Sequence, residues 1–400
     1  MLRRLLVTVA AIVVLVAAAV AIVLWVTRPP DPDAFYDPPQ IAAGTAPGTL
    51  LRSDAFTRGV PEGAEAWRIL YVTEGDDGAP RAVSGLVIAP RDAPARPRPV
   101  LAWAHGTTGI ARGCAISLLP DPLSGIPQLE AVLARGWVVV ATDYPGLGTP
   151  GVHPYLVGEI TGRSVIDSVR AARALGAGPD LDSRYAVWGE SQGGHAALFT
   201  GQVAAAGYAP GLRLVGVAAG APATDLAPLL AATQGSPGGK ILTAQAVSSW
   251  TSLYPELSFD QTVSRLARPA VRAIARRCIY PDFLVVAAQT VLVPDPLLAI
   301  DVAADPAWSR RLRENTPNGR IDAPVILAQG QRDQIVSPTV QRAYVERRCR
   351  AGESIDFRPL PESGHVDVME AAGPLFLAWT AERFAEPARA GAVTTGCSTG

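Results

Sequence analysis

The pattern of apolar and polar positions predicts strands along much of the chain. Residues 67–90 alternate apolar and polar side chains on both sides of a turn at 75–78, which is typical of a β-hairpin. Continuous apolar runs follow, and runs of that kind indicate strands that are buried on both faces of a sheet. They occupy residues 99–106, 137–143, 185–189, 214–220, 324–330 and 355–361.

Helical patterns separate most of these runs. Residues 162–175, for example, place apolar side chains three and four positions apart, which predicts a helix. Alternation of strands and helices favours an α/β fold with a mostly parallel sheet and helices on both faces. Residues 221–323 interrupt the alternation, because they combine helical patterns and prolines without a clear strand. We expect this interval to form a helical cap inserted into the fold.

The N-terminal segment is long and apolar enough to span a membrane. Residues 5–26 carry no charge and would reach about 33 Å as a helix, against a hydrocarbon core of about 30 Å. Arg3 and Arg4 precede them, which places the bulk of the chain outside the cytoplasm. We expect residues 1–30 to be an uncleaved membrane anchor, and a signal peptide cut within residues 17–21 is the alternative. Residues 31–59 are rich in Pro, Gly and Ala and predict a tether and lead-in to a domain over 60–400.

Composition and charge exclude some classes of function. A hydrophobic fraction of 48% supports a sizeable core, and a net charge of −1 gives no field that would attract nucleic acid. Four cysteines are an even number in a chain that we expect to be exported, which indicates disulfide bonds but does not choose among three pairings. No cysteine or histidine cluster has zinc-like spacing, so we expect no metal site. The cysteines are Cys114, Cys278, Cys349 and Cys397.

The candidate nucleophile is Ser191, in the sequence GESQG at residues 189–193. An apolar run precedes it and small residues that suit a helix follow, so the serine lies at a strand-to-helix turn. At such a turn a strained backbone exposes the hydroxyl, and glycines two residues before and after relieve crowding. The pattern GxSxG alone is weak evidence in a chain with 38 glycines. Its context is what predicts a nucleophile.

A serine nucleophile needs a histidine base that a carboxylate orients. In this architecture the order along the chain is serine, acid, histidine, which excludes His105 and His153. His195 lies on the helix that follows Ser191, so we expect it to be structural. His365, in a loop after the last predicted strand, is therefore the expected base.

The acid should leave the C-terminal end of a strand, because the crevice of an open α/β sheet lies at those ends. Asp333 follows the run 324–330 at such an end. Asp322 precedes the same run and would lie at the opposite edge. Asp333 is therefore the predicted acid.

Two backbone amides should bind the oxyanion of a tetrahedral intermediate. Gln192, directly after the nucleophile, supplies the first. The loop AHGTTG at 104–109 follows a predicted strand and supplies the second, from Thr107 or, as the alternative, Thr108. We expect His105 to hold this loop by hydrogen bonds.

Taken together, these segments resemble the α/β-hydrolase superfamily and, within it, the secretory lipase family of fungi and actinobacteria. The resemblance covers about residues 45–400, and its most specific part is DYPGLGTPGVHPYLVG at 143–158. The other segments that carry it are HGTTG at 105–109, WGESQGGHAAL at 188–198, GQRDQIVSP at 330–338 and SGHVD at 363–367.

The resemblance implies that Ser191, Asp333 and His365 are the catalytic groups, which agrees with the prediction from the sequence pattern. It also implies an oxyanion loop at Thr107 and a cap over 221–323. It also implies a pairing of the cysteines, Cys114 with Cys278 and Cys349 with Cys397. The family usually has a cleavable signal, so the long apolar N-terminus is a departure.

The predicted reaction is transfer of an acyl group to water, as in a lipase or esterase that needs no cofactor. The substrate would be a lipid ester, such as an acylglycerol, or another small-molecule ester. A serine peptidase or amidase would use the same triad but would need an acidic pocket for an amine, and the apolar cap segment 283–300 offers none. A non-catalytic interaction protein would be expected to have lost a member of the triad. We expect segment 283–300 to wall the crevice with hydrocarbon.

Overall fold

The computed structural model describes residues 4, 6–11, 14–15, 18, 27–92, 97–176, 178–233, 235–279, 286, 290, 293–385 and 397–399. Most of the apolar segment 5–26, which we interpret as an anchor or signal, lies outside the described residues. Among the residues that are described, no helix combines the length and the apolar character needed to cross a membrane. Of the cap segment 283–300, the structure describes 286, 290 and 293–300, and the rest lies outside the described ranges.

A ten-stranded sheet forms the centre of the described chain, in the order β1-β2-β3-β5-β4-β6-β7-β8-β9-β10. The pairs β1–β2, β2–β3 and β3–β5 are antiparallel, and the pairs from β5 through β10 are parallel. The strands are β1 (Leu50–Phe56), β2 (Ala64–Glu74), β3 (Pro80–Pro90), β4 (Arg98–Ala104), β5 (Val138–Thr142), β6 (Leu181–Glu190), β7 (Arg213–Gly220), β8 (Val325–Gly330), β9 (Ile355–Leu360) and β10 (Ser398–Thr399).

Helices cover the sheet and fill the interval between β7 and β8. They are α1 (Leu129–Ala134), α2 (Gly158–Arg173), α3 (Gln192–Ala205), α4 (Leu226–Thr233), α5 (Pro237–Leu253), α6 (Phe259–Thr262), α7 (Arg268–Ala275), α8 (Pro306–Glu314), α9 (Pro338–Arg350) and α10 (Val368–Ala385). Short 3₁₀ turns lie at Ala34–Tyr36, Arg112–Cys114 and Ile116–Leu118.

The central strands are continuous apolar runs because they are buried on both faces. All five residues of β5 and all six of β8 are buried. Trp188 of β6 donates its indole N–H to Thr380 of α10, while Tyr71 of β2 donates to the backbone of Ser164 in α2. Helix α2 packs along α3, where Gly162 leaves room for the backbone of Phe199. The predicted α/β-hydrolase fold is confirmed.

The sheet begins earlier in the chain than the sequence predicts. β1 lies within residues 31–59, which we interpret as a tether and lead-in, and Phe35 and Tyr36 before it are buried. β1 is an edge strand with a half-exposed side-chain pattern, so it lacks the apolar run that would mark a strand. Arg68 of β2 fastens this region through ion pairs with Asp33 and Asp54.

Helices α4 to α8 lie over the carboxyl ends of the central strands. Ser249 and Trp250 of α5 donate hydrogen bonds to the backbone carbonyls of His153 and Tyr155, in the loop that follows β5. The indole rings of Trp250 and Trp308 stack with centroids 5.6 Å apart, which joins α5 to α8. These contacts join the helices between β7 and β8 to the loop after β5 and to one another.

Candidate active site

Ser191 lies at the turn between β6 and α3, with a backbone conformation of φ 53° and ψ −116°. A positive φ at a residue with a side chain is strained, and close packing enforces it. A Cβ at Gly189 would lie 2.1 Å from the carbonyl oxygen of Gly193, and one at Gly193 would lie 1.9 Å from that of Ala104. Only glycine fits at these two positions, which explains the GxSxG spacing.

The structure brings Ser191, His365 and Asp333 into one hydrogen-bonded chain. His365 Nδ1 lies 2.8 Å from Asp333 Oδ2, and its Nε2 lies 3.0 Å from Ser191 Oγ. Because a carboxylate only accepts, Nδ1 carries the proton and Nε2 accepts from the serine hydroxyl. Burial alone would lower the pKa of His365. The hydrogen bond to Asp333 and the negative charges of Asp333 and Glu190 raise it, and the net effect is a raised pKa.

The carboxylate of Asp333 is held on both oxygens. Oδ1 accepts from the backbone amides of Ile335 and Val336, each at 2.8 Å, and Oδ2 accepts from Gln329 Nε2 at 3.1 Å. Gln329, which is fully buried in β8, donates also to the carbonyls of Gly330 and Val336. The sequence gives no signal for Gln329, because a glutamine within an apolar strand has no distinguishing spacing.

The rejected candidates lie elsewhere. Asp322 is at the surface in an ion pair with Arg320, before β8 begins. His195 is buried on α3 and donates through Nε2 to the carbonyl of Asn315 at 2.8 Å. Burial lowers the pKa of His195 to about 4, so this ring is a neutral packing group.

The loop after β4 lies beside the serine, as the sequence predicts for an oxyanion loop. His105 Nδ1 lies 2.7 Å from the carbonyl of Gly106, and its Nε2 faces the backbone carbonyl of Asp143. Thr107 contacts Tyr155 Oη through its hydroxyl at 3.1 Å. Within the described residues, the backbone amides of Thr107, Thr108 and Gln192 donate to no acceptor. Those amides are therefore available for an oxyanion.

His153 holds the side chain of Gln192 in place. Its Nδ1 donates to the carbonyl of Pro145 at 3.0 Å, so its Nε2 accepts from Gln192 Nε2 at 2.9 Å. Burial lowers the pKa of His153 to about 3, which keeps the ring neutral and able to accept. The segment 143–158 thus contributes to the site through the residue that follows the nucleophile. The sequence excludes His153 as the base but does not reveal this contact.

Both disulfides join the cysteines that the family resemblance implies. Cys114 and Cys278 have Cα atoms 5.2 Å apart, and Cys349 and Cys397 have Cα atoms 5.9 Å apart. The first bond lies beside the oxyanion loop, where the amide of Ile279 donates to the carbonyl of Thr108 at 2.7 Å. It therefore connects that loop to the end of α7.

Two cavities meet at Ser191 and Leu242. The inner cavity lies under the cap, is narrow, with a volume of about 40 Å³, and is almost wholly apolar. Its walls include Tyr155, Leu229, Val247, Trp250, Leu298 and Trp308. The outer cavity is wider and opens toward solvent. Its walls include Trp103, His105, Thr107, Glu190, Ile279 and His365.

A family model described as secretory lipase matches residues 126–391 of the chain. The chain belongs to the secretory lipase family. Lipase 5 of Candida albicans is 25% identical over 405 residues, which cover 93% of this chain and 84% of that protein. A secreted triacylglycerol lipase of Malassezia globosa is 26% identical and covers 88% of this chain and 81% of its own length. A Mycobacterium tuberculosis protein described as a probable inactive lipase is 27% identical, covering 90% of this chain and 86% of that protein.

Solved structures share the fold of this secretory lipase. Candida antarctica lipase A in its closed state superposes with a TM-score of 0.72 at 19% identity, covering 92% of this chain and 91% of its own. The cell wall degrading esterase LipA of Xanthomonas oryzae superposes with a TM-score of 0.67 at 21% identity, covering 83% of this chain and 95% of its own. Family membership identifies the protein as a carboxylic ester hydrolase.

Proposed function

We propose that Ser191, His365 and Asp333 are the catalytic triad of this ester hydrolase. The observation that carries the proposal is the position of His365, which lies in hydrogen-bond reach of both the serine oxygen and the carboxylate. Ser191 Oγ attacks the ester carbonyl while His365 Nε2 takes its proton, and Asp333 stabilises the imidazolium that forms. His365 then returns the proton to the leaving alcohol, and water repeats the cycle on the acyl-enzyme.

The backbone amides of Gln192 and Thr107 bind the oxyanion of the tetrahedral intermediate. Neither amide donates to an acceptor in the described structure. Gln192 lies in the wall of the inner cavity and Thr107 in the wall of the outer one, both beside Ser191. Amide donors of this kind favour the charge that develops on the carbonyl oxygen. Thr108 is the alternative donor, since its amide likewise donates to no acceptor in the described structure and it too lines the outer cavity.

The inner cavity receives the acyl chain and the outer cavity the alcohol. The apolar walls of the inner cavity suit a hydrocarbon, and the outer cavity, at about 590 Å³, is within the size range of small-molecule sites. Each buried methylene contributes up to about 0.8 kcal/mol. The substrates are therefore lipid esters, such as acylglycerols, whose hydrocarbon the apolar walls can contact. The Malassezia globosa relative is a secreted triacylglycerol lipase by name, which supports lipid esters as the substrate class.

The protein acts outside the cytoplasm. The two disulfides support an oxidising compartment, and the secreted relative supports export. The apolar segment 5–26 serves as the export signal, either retained as an anchor or cleaved. We place the start of the hydrolase domain at about residue 34, since the 3₁₀ turn Ala34–Tyr36 and β1 precede residue 60, and its cap over 221–323.

The experiment that tests this function is a panel of p-nitrophenyl esters with acyl chains from two to sixteen carbons. For the purified protein, kcat/KM should rise with chain length until the cavity is filled. The Ser191→Ala variant should lose about 10⁴-fold or more in kcat while keeping its melting temperature. Equal rates for the parent and the Ser191→Ala variant would contradict the proposal, as would a parent that hydrolyses no ester.

A further inference from the structure

A second carboxylate, that of Glu190, borders the reacting groups. Glu190 is the last residue of β6 and directly precedes Ser191. Its side chain lines the outer cavity together with Ser191 and His365. Its Oε2 packs against Gly106, 3.6 Å from the position that a Cβ of that residue would take. The carboxylate thus lies against the oxyanion loop and faces the cavity of the base.

Nothing in the described part of the chain neutralises this carboxylate. No described residue donates a hydrogen bond to it or forms an ion pair with it. Burial raises the pKa of Glu190, the charge of His365 lowers it, and the charge of Asp333 raises it. Glu190 is half-buried, and a carboxylate with restricted access to water is less favourable unless a positive charge is close. Among the described groups that border the same cavity, His365 is the one that gains a positive charge during the reaction.

Other charged or titratable groups around His365 are already compensated or remote from its ring. Burial lowers the pKa of His105 to about 4, so this ring on the opposite wall is neutral. Asp367, on the loop of His365 itself, accepts from the amide of Gly364. The remaining groups are Asp121, on the outer rim of the cavity, and the surface ion pair of Arg332 with Glu362. Glu190 and Asp333 are therefore the two carboxylates that act on the imidazole.

We propose that Glu190 is a positioning residue that stabilises the imidazolium of His365 through its negative charge, without contact with the substrate. The inference rests on the proposed triad. The same charge acts on the imidazolium of the free enzyme and on the one that forms in the transition state. Removing it should therefore lower the pKa of the base and slow the reaction by a comparable factor, since one unit of pKa equals tenfold in rate.

The test is the pH profile of kcat/KM for Glu190→Gln, with p-nitrophenyl butyrate read at the isosbestic wavelength of the phenol. Activity requires neutral His365, so the parent rate falls as the pH drops through the pKa of the base. In Glu190→Gln this acidic limb should move down by about one pH unit, and kcat at the plateau should fall about tenfold. Glu190→Asp, which keeps the charge, should restore most of both values.

A matched control is Glu362→Gln, which removes an exposed carboxylate three residues before His365 and should change neither value. Melting temperature and titration with a fluorophosphonate count the folded, competent sites in each variant. An unmoved acidic limb in folded Glu190→Gln would overturn the inference while leaving the triad intact. Unfolding of Glu190→Gln and Glu190→Ala beside a folded Glu190→Asp would also overturn it, since the carboxylate would then be a structural requirement. A parent without esterase activity would instead contradict the proposed function.

Discussion

At the scale of single residues, the orientation of the base depends on how firmly Asp333 is held. Two backbone amides and the Gln329 side chain bind its oxygens, so the carboxylate has one orientation toward His365. A carboxylate in that position selects the tautomer of the imidazole in which Nδ1 carries the proton. Without it, Nε2 would not be available to accept the proton of Ser191.

Replacing Asp333 with asparagine should lower kcat on the order of 10⁴-fold, because an amide can stabilise the wrong tautomer and does not stabilise the imidazolium. Asp322→Asn is the matched control, since Asp322 lies at the surface before the same strand and pairs only with Arg320 among the described residues. Its kcat should be that of the parent. Steady-state kinetics of the two purified variants decide the assignment, and similar losses in both would refute it.

The sequence predicted Ser191, Asp333 and His365 because each has a local signal. The serine has its flanking glycines, the aspartate follows a strand, and the histidine lies in the loop after the last long strand. Contacts such as His153 with Gln192 join residues 39 positions apart in sequence, and they depend on how the loops fold over the sheet. No spacing or periodicity in the chain encodes such a contact. Glu190 was missed for the same reason, since its role depends on which cavity its side chain enters.

At the scale of elements, one disulfide is coupled to the site and the other is not. Cys114–Cys278 joins the oxyanion loop to the segment after α7, whereas Cys349–Cys397 joins α9 to the edge strand β10. The chain-entropy model gives about 5 kcal/mol of stability for the first bond and about 4 kcal/mol for the second. Removing either disulfide should therefore cost a similar amount of stability, but only removal of Cys114–Cys278 should affect catalysis.

We predict that Cys114→Ser with Cys278→Ser lowers both stability and kcat, because the loop that carries Thr107 loses its anchor on the cap. Cys349→Ser with Cys397→Ser should lower stability to a similar degree and leave kcat unchanged. Urea unfolding and steady-state rates at a temperature where both variants are folded provide the comparison. Equal kcat values for the two variants would show that the first bond does not hold the oxyanion loop.

Helix α5 forms one wall of the inner cavity, and Ala246 is part of that wall. Ala246→Phe should fill the cavity, so kcat/KM for a twelve-carbon acyl ester should fall at least about tenfold while that for a two-carbon ester changes little. Ala231→Phe places the same ring on an exposed position of α4 and is the control. A uniform loss across all chain lengths would mean that the inner cavity does not bind the acyl chain.

The elements themselves were predictable where burial imposes a simple pattern. The parallel strands appear as apolar runs, and the hairpin of β2 and β3 appears as alternation. β1 and β10 lie at the two edges of the sheet, and they were not predicted because edge strands need no apolar run. β10 in particular is two residues long and follows the disulfide that fastens Cys397.

At the scale of the whole molecule, the sheet carries Ser191, Asp333 and His365 in the turns and loops that follow β6, β8 and β9, and helices between β7 and β8 wall the inner cavity. Alternation of strands and helices was enough to predict the fold class. The two cavities were not predictable, because they depend on where α4, α5 and α8 rest on the sheet. The cavities meet at Ser191, which has an almost wholly apolar cavity on one side and a more open cavity on the other.

The central claim is that Ser191 forms the acyl-enzyme, and covalent labelling tests it most directly. The purified full chain is treated with a fluorophosphonate and analysed by intact mass and peptide mapping. We predict one adduct per chain, located on Ser191, with complete loss of esterase activity, and no adduct in Ser191→Ala. Labelling at another residue, or full esterase activity after stoichiometric labelling of Ser191, would contradict the account.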